Sequence, residues 1–276
     1  MGKGIGLIGN FRGKVGNMVG YTLKDSNNKQ TQGVRVYQPV VKNPKTYGQA
    51  EQRAKLAPVN VTYRALKMII DRGQEGKGYG NRSRLAWLKG ALKAEGMPWF
   101  EKGALMNSPV LCELTHGSLA GLQFTVTATG MEITATGVTS ETTVNTVGTL
   151  STALMAAYPA LQEGDQITFV ALQSSANGII SDVFSIIIDT TDSTALTRFT
   201  AANGKLTYVS PNAAGFGSVI VSREGANAAH QRSTSSLSAP AATIAAAPYD
   251  ATSKEAAVKS YMSAAGNSDW PEESFQ

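Results

Sequence analysis

Gly4-Ile5-Gly6-Leu7-Ile8-Gly9 spells G-x-G-x-x-G, the spacing that cradles a pyrophosphate when it follows a strand and opens a helix. No strand pattern precedes it and no helical pattern follows, so these glycines read as turn residues rather than a cofactor loop. Walker, G-x-S-x-G and H-E-x-x-H patterns are missing from the sequence. His116 and His230 lie in separate segments without a carboxylate-rich context. Asp189 and Asp192 could act as paired carboxylates, yet with Thr190 and Thr191 between them they read as turn chemistry. Cys112 is the only cysteine, which excludes an intrachain disulfide and a cysteine metal cluster. The expectation is a chain with no catalytic residues, no metal site and no cofactor.

Cations interleaved with aromatics are the stronger signal. Residues 1–110 carry 19 Lys or Arg against 6 Asp or Glu, whereas residues 111–276 carry 6 against 14. A phosphate needs a cation, since each one neutralised releases counterions, and an unpaired base needs a flat apolar face to stack on. Single-stranded nucleic acid, DNA first, satisfies both. The expected phosphate contacts are Arg12, Lys14, Arg35, Arg53, Arg82, Lys89 and Lys93, with Tyr37 and Trp87 as stacking residues. The competing reading places Tyr63 and Trp87 in a core and leaves the lysines as solubilising charge.

The elements that must position these residues follow from periodicity. Strand patterns at 15–23 and 33–37, separated by Asp25-Ser26-Asn27-Asn28, predict a β-hairpin, with Arg35 and Tyr37 on the face away from Val34 and Val36. Thr46 caps a helix that Pro58 kinks or restarts, and the second segment runs to about residue 71. A third helix over 82–95 is expected to place Leu85, Leu88 and Leu92 on one face and Arg82, Lys89 and Lys93 on another. From Leu122 the period becomes two, and strands at 122–126, 166–172, 183–189, 205–209 and 218–223, with a short helix at 151–157, suggest a β-sandwich. The fold class is therefore α+β, in three parts. Residues 1–110 form a basic glycine-rich arm, hairpin and helices. Residues 111–232 form an antiparallel sandwich, and residues 233–276 a Ser/Ala/Pro-rich linker, a short helix and an acidic tail able to compete for the basic head.

Gly6, Gly9, Phe11, Gly13-Lys14-Val15-Gly16, Gly20, Arg35, Asn43-Pro44-Lys45-Thr46, Gln49 and Arg53 form a pattern that resembles an uncharacterised Gly/Lys-rich family. That family is encoded by Bacteroides-type gut bacteria and the small phages that infect them. The resemblance covers roughly the first 95 residues by motif and implies an immunoglobulin-like β domain after the basic region. It also implies a phage structural or genome-handling role, with virion proteins or further copies of the chain as partners. The sequence has no run long enough to cross a bilayer and no secretory signal at its start, so the expected location is a virion or the host bacterial cytoplasm. The alternative is a virion assembly or surface-decoration protein whose β domain binds protein or glycan, without a nucleic-acid role.

Overall fold

The computed structural model describes residues 13–24, 30–36, 46–139, 143–211, 215–224 and 230–263. The chain divides into two units, Met1–Pro44 and Lys45–Gln276. In the first, β1 (Gly13–Val15), β2 (Met18–Lys24) and β3 (Gln30–Val36) form an antiparallel sheet in the order β1-β2-β3. The strand expected from residue 15 onward is broken, because Gly16 and Asn17 form a two-residue turn between the paired Val15 and Met18. Gly16 sits at φ +59, the left-handed region that a primed hairpin turn needs at its first position. The expected turn at 25–28 and Tyr37 lie outside the described residues.

In the second unit, helices cover one face of a sheet whose other face meets a second sheet. The first sheet has the order β12-β11-β7-β8: β7 is Gln166–Ser175, β8 Gly178–Ile187, β11 Phe216–Glu224 and β12 His230–Arg232. The second has the order β5-β6-β10-β9: β5 is Phe124–Val126, β6 Gly130–Thr134, β9 Phe199–Ala202 and β10 Lys205–Val209. Every pairing in both sheets is antiparallel. Ile167, Phe169 and Ala171 of β7, with Val219 and Val221 of β11, meet Met131, Ile133, Leu206 and Tyr208 between the sheets. Phe169 packs against Tyr208 at 4.9 Å and against Phe199 at 5.2 Å between ring centroids. A short strand pair, β4 (Glu113–Thr115) with β13 (Ser235–Ser236), and helix α4 (Val147–Ala157) complete this side. Thr146 and Thr149 cap α4 reciprocally, each side chain taking the other's backbone N–H.

Val170, Leu172, Phe216 and Ile220 project to the opposite face, where the helices lie. These helices are α1 (Tyr47–Ala65), α2 (Lys67–Ile70), α3 (Asn81–Ala91), α5 (Ala241–Ile244) and α6 (Ala251–Ser263). α1 and α3 therefore share a core with the β structure, and the unit boundary falls at Pro44 rather than near residue 110. α1 runs through Pro58 without ending, because Ala50 and Ala54 before the proline and Val59 and Thr62 after it are all buried. Thr62 does double duty there: its hydroxyl donates to the Pro58 carbonyl at 3.0 Å and accepts the buried Val110 N–H at 2.9 Å.

The third helix turns out rotated from its expected face. Ser83, Trp87 and Ala91, four apart, point inward, while Leu85 is 49% exposed. Trp87 fills the centre of the buried face, with Leu88 and Leu92 packed partly buried at its margins and Leu85 left outside. Residues 233–248 also depart from a linker. Ser233 Oγ accepts the Val221 N–H at 2.9 Å, Ser218 and Ser235 share a hydroxyl contact at 2.8 Å, and Leu237 is buried. Small side chains here allow a strap to lie close against β11. On the helix layer, α6 buries Ala257, Val258 and Met262, and Lys254 reaches Glu51 of α1 at 3.2 Å.

Thr62→Val keeps the shape of the side chain but leaves the buried Val110 N–H without an acceptor. It should lower unfolding stability by about 1–3 kcal/mol, measured by urea titration followed by circular dichroism.

Candidate nucleic-acid interface

On the first unit, strand register decides which side chains share a face. Lys14 lies opposite Val19, and Val19 opposite Arg35, so all three stand in line on one side of the sheet. Lys14 and Arg35 are two strands apart, about 10 Å between backbones. Tyr21, two residues from Val19, belongs to the same side and lies over Gly33, where an added Cβ would come within 2.6 Å of the ring. Gly33 is thus required for the ring to lie flat. Met18, Val34 and Val36 occupy the other side, so Arg35 does face away from the valines. Arg12 and Tyr37 lie outside the described residues, and among the described ones Tyr21 is an aromatic on the same side as Arg35, which the alternation of β3 alone does not reveal.

On the second unit, Arg53 and Arg64 are exposed and eleven residues apart on α1, three turns, which puts them on one stripe. Arg82 and Lys89, seven apart on α3, form another exposed stripe, with Lys93 just beyond the helix end. None of these cations makes an ion pair among the described residues. Residues 46–110 carry 11 Lys or Arg against 5 Asp or Glu, and three of those five acids are engaged by the fold. Glu51 takes Lys55 and Lys254, Asp71 accepts the Tyr63 hydroxyl at 2.9 Å, and Glu75 is held by backbone donors.

Trp87 does not serve as a stacking residue. It is 2% exposed, in the core under α3 beside Tyr63 and Cys112. The competing core reading is the one its surroundings support. Burial there pushes the Cys112 thiol up to about 12, so it stays protonated and unreactive at neutral pH.

The aromatic that α3 lacks comes from the loop before it. Tyr79 is 53% exposed, with the Arg72 guanidinium 5.6 Å from its ring and His230 at 5.2 Å on β12. Arg84 lies 4.5 Å from the Tyr63 ring in the same way. The segment Gly73–Gly80, a plain glycine-rich connection by composition, is pinned at several points. Gly73 has no room for a Cβ, which would come within 2.7 Å of the Leu114 carbonyl. Its own carbonyl accepts the His116 N–H, and the Gly80 N–H donates to Asp71. The Glu75 carboxylate accepts the Ser118 N–H and hydroxyl, each at 2.8 Å, and the Arg232 N–H at 3.1 Å. Those backbone donors, Ser118 foremost, hold the Glu75 carboxyl below its ordinary value. The acidic tail proposed to compete for the head, residues 269–275, lies outside the described residues.

A carboxyl whose pKa falls on folding binds its proton more readily in the unfolded chain. Glu75 therefore contributes stability that is fully present above its ordinary value of 4.5 and is lost as the pH falls through the lowered one. Glu75→Gln should flatten the acid limb of the melting temperature against pH and lower the neutral-pH melting temperature by a few degrees. Scanning calorimetry from neutral pH down through the carboxylate range measures both. Comparison of the chain with protein-family models, with curated proteins and with solved structures finds no match in any of the three.

Proposed function

We propose that this chain is a non-catalytic phage structural protein that holds single-stranded nucleic acid, DNA first, on its basic surfaces. One observation carries the reading: on α1, on α3 and just beyond it, the exposed Arg53, Arg64, Arg82, Lys89 and Lys93 make no ion pair among the described residues, while Glu51, Asp71 and Glu75 are engaged by neighbouring segments. A surface kept soluble by mixed charge would show the two signs interspersed and paired. The contact set becomes Lys14, Arg35 and Tyr21 on the first unit and Arg53, Arg82, Lys89, Lys93, Arg72 and Tyr79 on the second. Tyr79, half exposed with the Arg72 guanidinium over its ring, puts an aromatic and a cation together, and that combination favours single strands over duplex. The phage setting, in a virion or the host cytoplasm, rests on the resemblance of the amino-terminal pattern.

The β structure fits an immunoglobulin-like reading. Taking β5, β6, β7, β8, β9, β10, β11 and β12 as A, B, C, C′, D, E, F and G, the two sheets become A-B-E-D and G-F-C-C′. α4 would be an insertion between B and C. Such a sandwich serves as a scaffold, which suits a structural role. The alternative, assembly or surface decoration without nucleic acid, is favoured by the exposed isoleucines and valine of β8, and a complex whose size ignores added nucleic acid would select it.

Fluorescence anisotropy of a labelled single-stranded oligonucleotide, titrated with the full chain at several salt concentrations, tests the proposal. With about five phosphate contacts the log–log salt slope should be about −3.5, and Arg82→Glu with Lys89→Glu should reduce its magnitude by about 1.4. Tyr79→Ala should weaken binding by about 1–3 kcal/mol at an unchanged slope. Absence of binding at low salt, or a slope indifferent to the charge reversals, overturns the reading.

A further inference from the structure

Strand β8 is the edge of its sheet, ten residues long and paired with β7 over its whole length without a break in register, from Gln166↔Ile187 to Ser175↔Gly178. Its outer backbone edge meets no other strand among the described residues. Proteins usually protect such an edge with lysine, proline, an inward-pointing charge, a bulge or a short strand, and of these β8 has only the inward Asp182. Ile180 is 42% exposed, Val183 49% and Ile187 61%. The single charge, Asp182, is turned inward and engaged: it accepts the Tyr208 hydroxyl at 2.7 Å, the Arg198 guanidinium at 3.3 Å and the Ser210 hydroxyl at 3.3 Å. It is not left free to repel a neighbouring strand.

The strand's sequence says what covers it. Ile179-Ile180-Ser181-Asp182-Val183-Phe184-Ser185-Ile186-Ile187 reads the same in both directions, apart from the exchange of Asp182 and Phe184. A segment of this kind complements itself when two copies run antiparallel about a two-fold axis. We propose that β8 pairs with β8 of a second copy of this chain, with the axis through Val183. On the face towards the helix layer, Ile179 then meets Ile187 of the second copy, Ser181 meets its Ser185, and Val183 meets its own counterpart. On the face towards the other sheet, Ile180 meets Ile186 and Asp182 meets Phe184. Apart from the two Asp182–Phe184 pairs, apolar residues oppose apolar ones and serines oppose serines, so the exposed Ile180, Val183 and Ile187 all gain partners. Two-fold axes pass through both kinds of residue pair in an antiparallel ladder, so this register suits the backbone hydrogen bonds whichever way Val183 faces.

The product is a continuous eight-stranded sheet, β12-β11-β7-β8 followed by the same strands in reverse. Because the interface uses the same strand from both copies, it closes at a dimer and does not propagate. One strand pair with its flanking side chains belongs to the small class of interfaces, so the dimer should exchange with monomer as concentration changes. The pairing does not depend on the nucleic-acid reading, and its test uses none.

Sedimentation equilibrium of the full chain should show a monomer–dimer equilibrium. Val183→Lys sets two lysines opposite each other at the axis and should raise the dimer dissociation constant about tenfold or more. Val183 is half exposed, so the variant should keep its circular dichroism spectrum and its oligonucleotide affinity. Val183→Cys should give a disulfide-linked dimer on oxidation with diamide, reversed by dithiothreitol. Thr125→Cys, exposed on the edge of the other sheet, should not, and the native Cys112 is buried. A chain that stays monomeric throughout the concentration series, a dimer that Val183→Lys leaves intact, or cross-linking equal at positions 183 and 125 would each overturn the proposal.

Discussion

The two middle strands of the sheet β12-β11-β7-β8 have almost no solvent face, and the rest of the second unit depends on that constraint. Each must supply apolar side chains in both directions. Ile167 and Phe169 are turned one way and Val170 and Leu172 the other, so these strands lose the alternation that marks a half-wet strand. A sheet of this kind needs a cover on each side. The second sheet provides one, and α1, α3 and α6 provide the other. Backbone groups near the covers are satisfied by short side chains: Thr62 at the helix layer, and Ser233 and Ser235 under the strap after β12. Thr62, Ser233 and Ser235 can be buried there because each has a partner waiting.

Charge segregation is a product of the same packing. The covering helices have one face committed to the sheet, so their ionisable residues crowd onto the other. Acids near the loops and helix ends are drawn into fixing neighbouring segments, as Glu51 joins α1 to α6 and Glu75 joins three stretches of chain. Cations are not used in this way to the same extent. The result is a helix layer with an excess of cations, 11 against 5 acids over residues 46–110, whose Arg53, Arg64, Arg82 and Lys89 stand on the outer faces of α1 and α3.

Where one periodicity dominated, the sequence was readable. Strands near 166–172, 205–209 and 218–223 were visible from their apolar residues, and the helix before Tyr158 from its alanines. The misreadings share a cause. Leu85, Leu88 and Leu92 satisfy a helical stripe as well as Ser83, Trp87 and Ala91 do, and only the space under α3 chooses between them. Serine and alanine after residue 232 resemble a linker because small residues serve both freedom and close approach, and composition does not separate the two. Tyr79 was hidden by its glycines, which look like slack until Gly73 is seen against the Leu114 carbonyl. Of the expected site, Lys14 and Arg35 do share a face, while Trp87 was lost to the core, where its ring packs beside Tyr63 and Cys112 with Leu88 and Leu92 at the margin.

The packing of α6 on α1 has a consequence for the order of events during synthesis. The first helix of the unit finds its resting place only when β7, β11 and the last helix have all been made, because its buried face is completed by Phe216, Ile220, Ala257 and Val258. Until residue 262 has been made, this strongly cationic segment has only the contacts among α1, α2, α3 and the stretch that follows them, such as Tyr63 on Trp87. Contacts of such long sequence separation slow folding and lengthen the exposure of apolar surface. The helix layer and the sheet beneath it are therefore complete only once α6 has closed over α1.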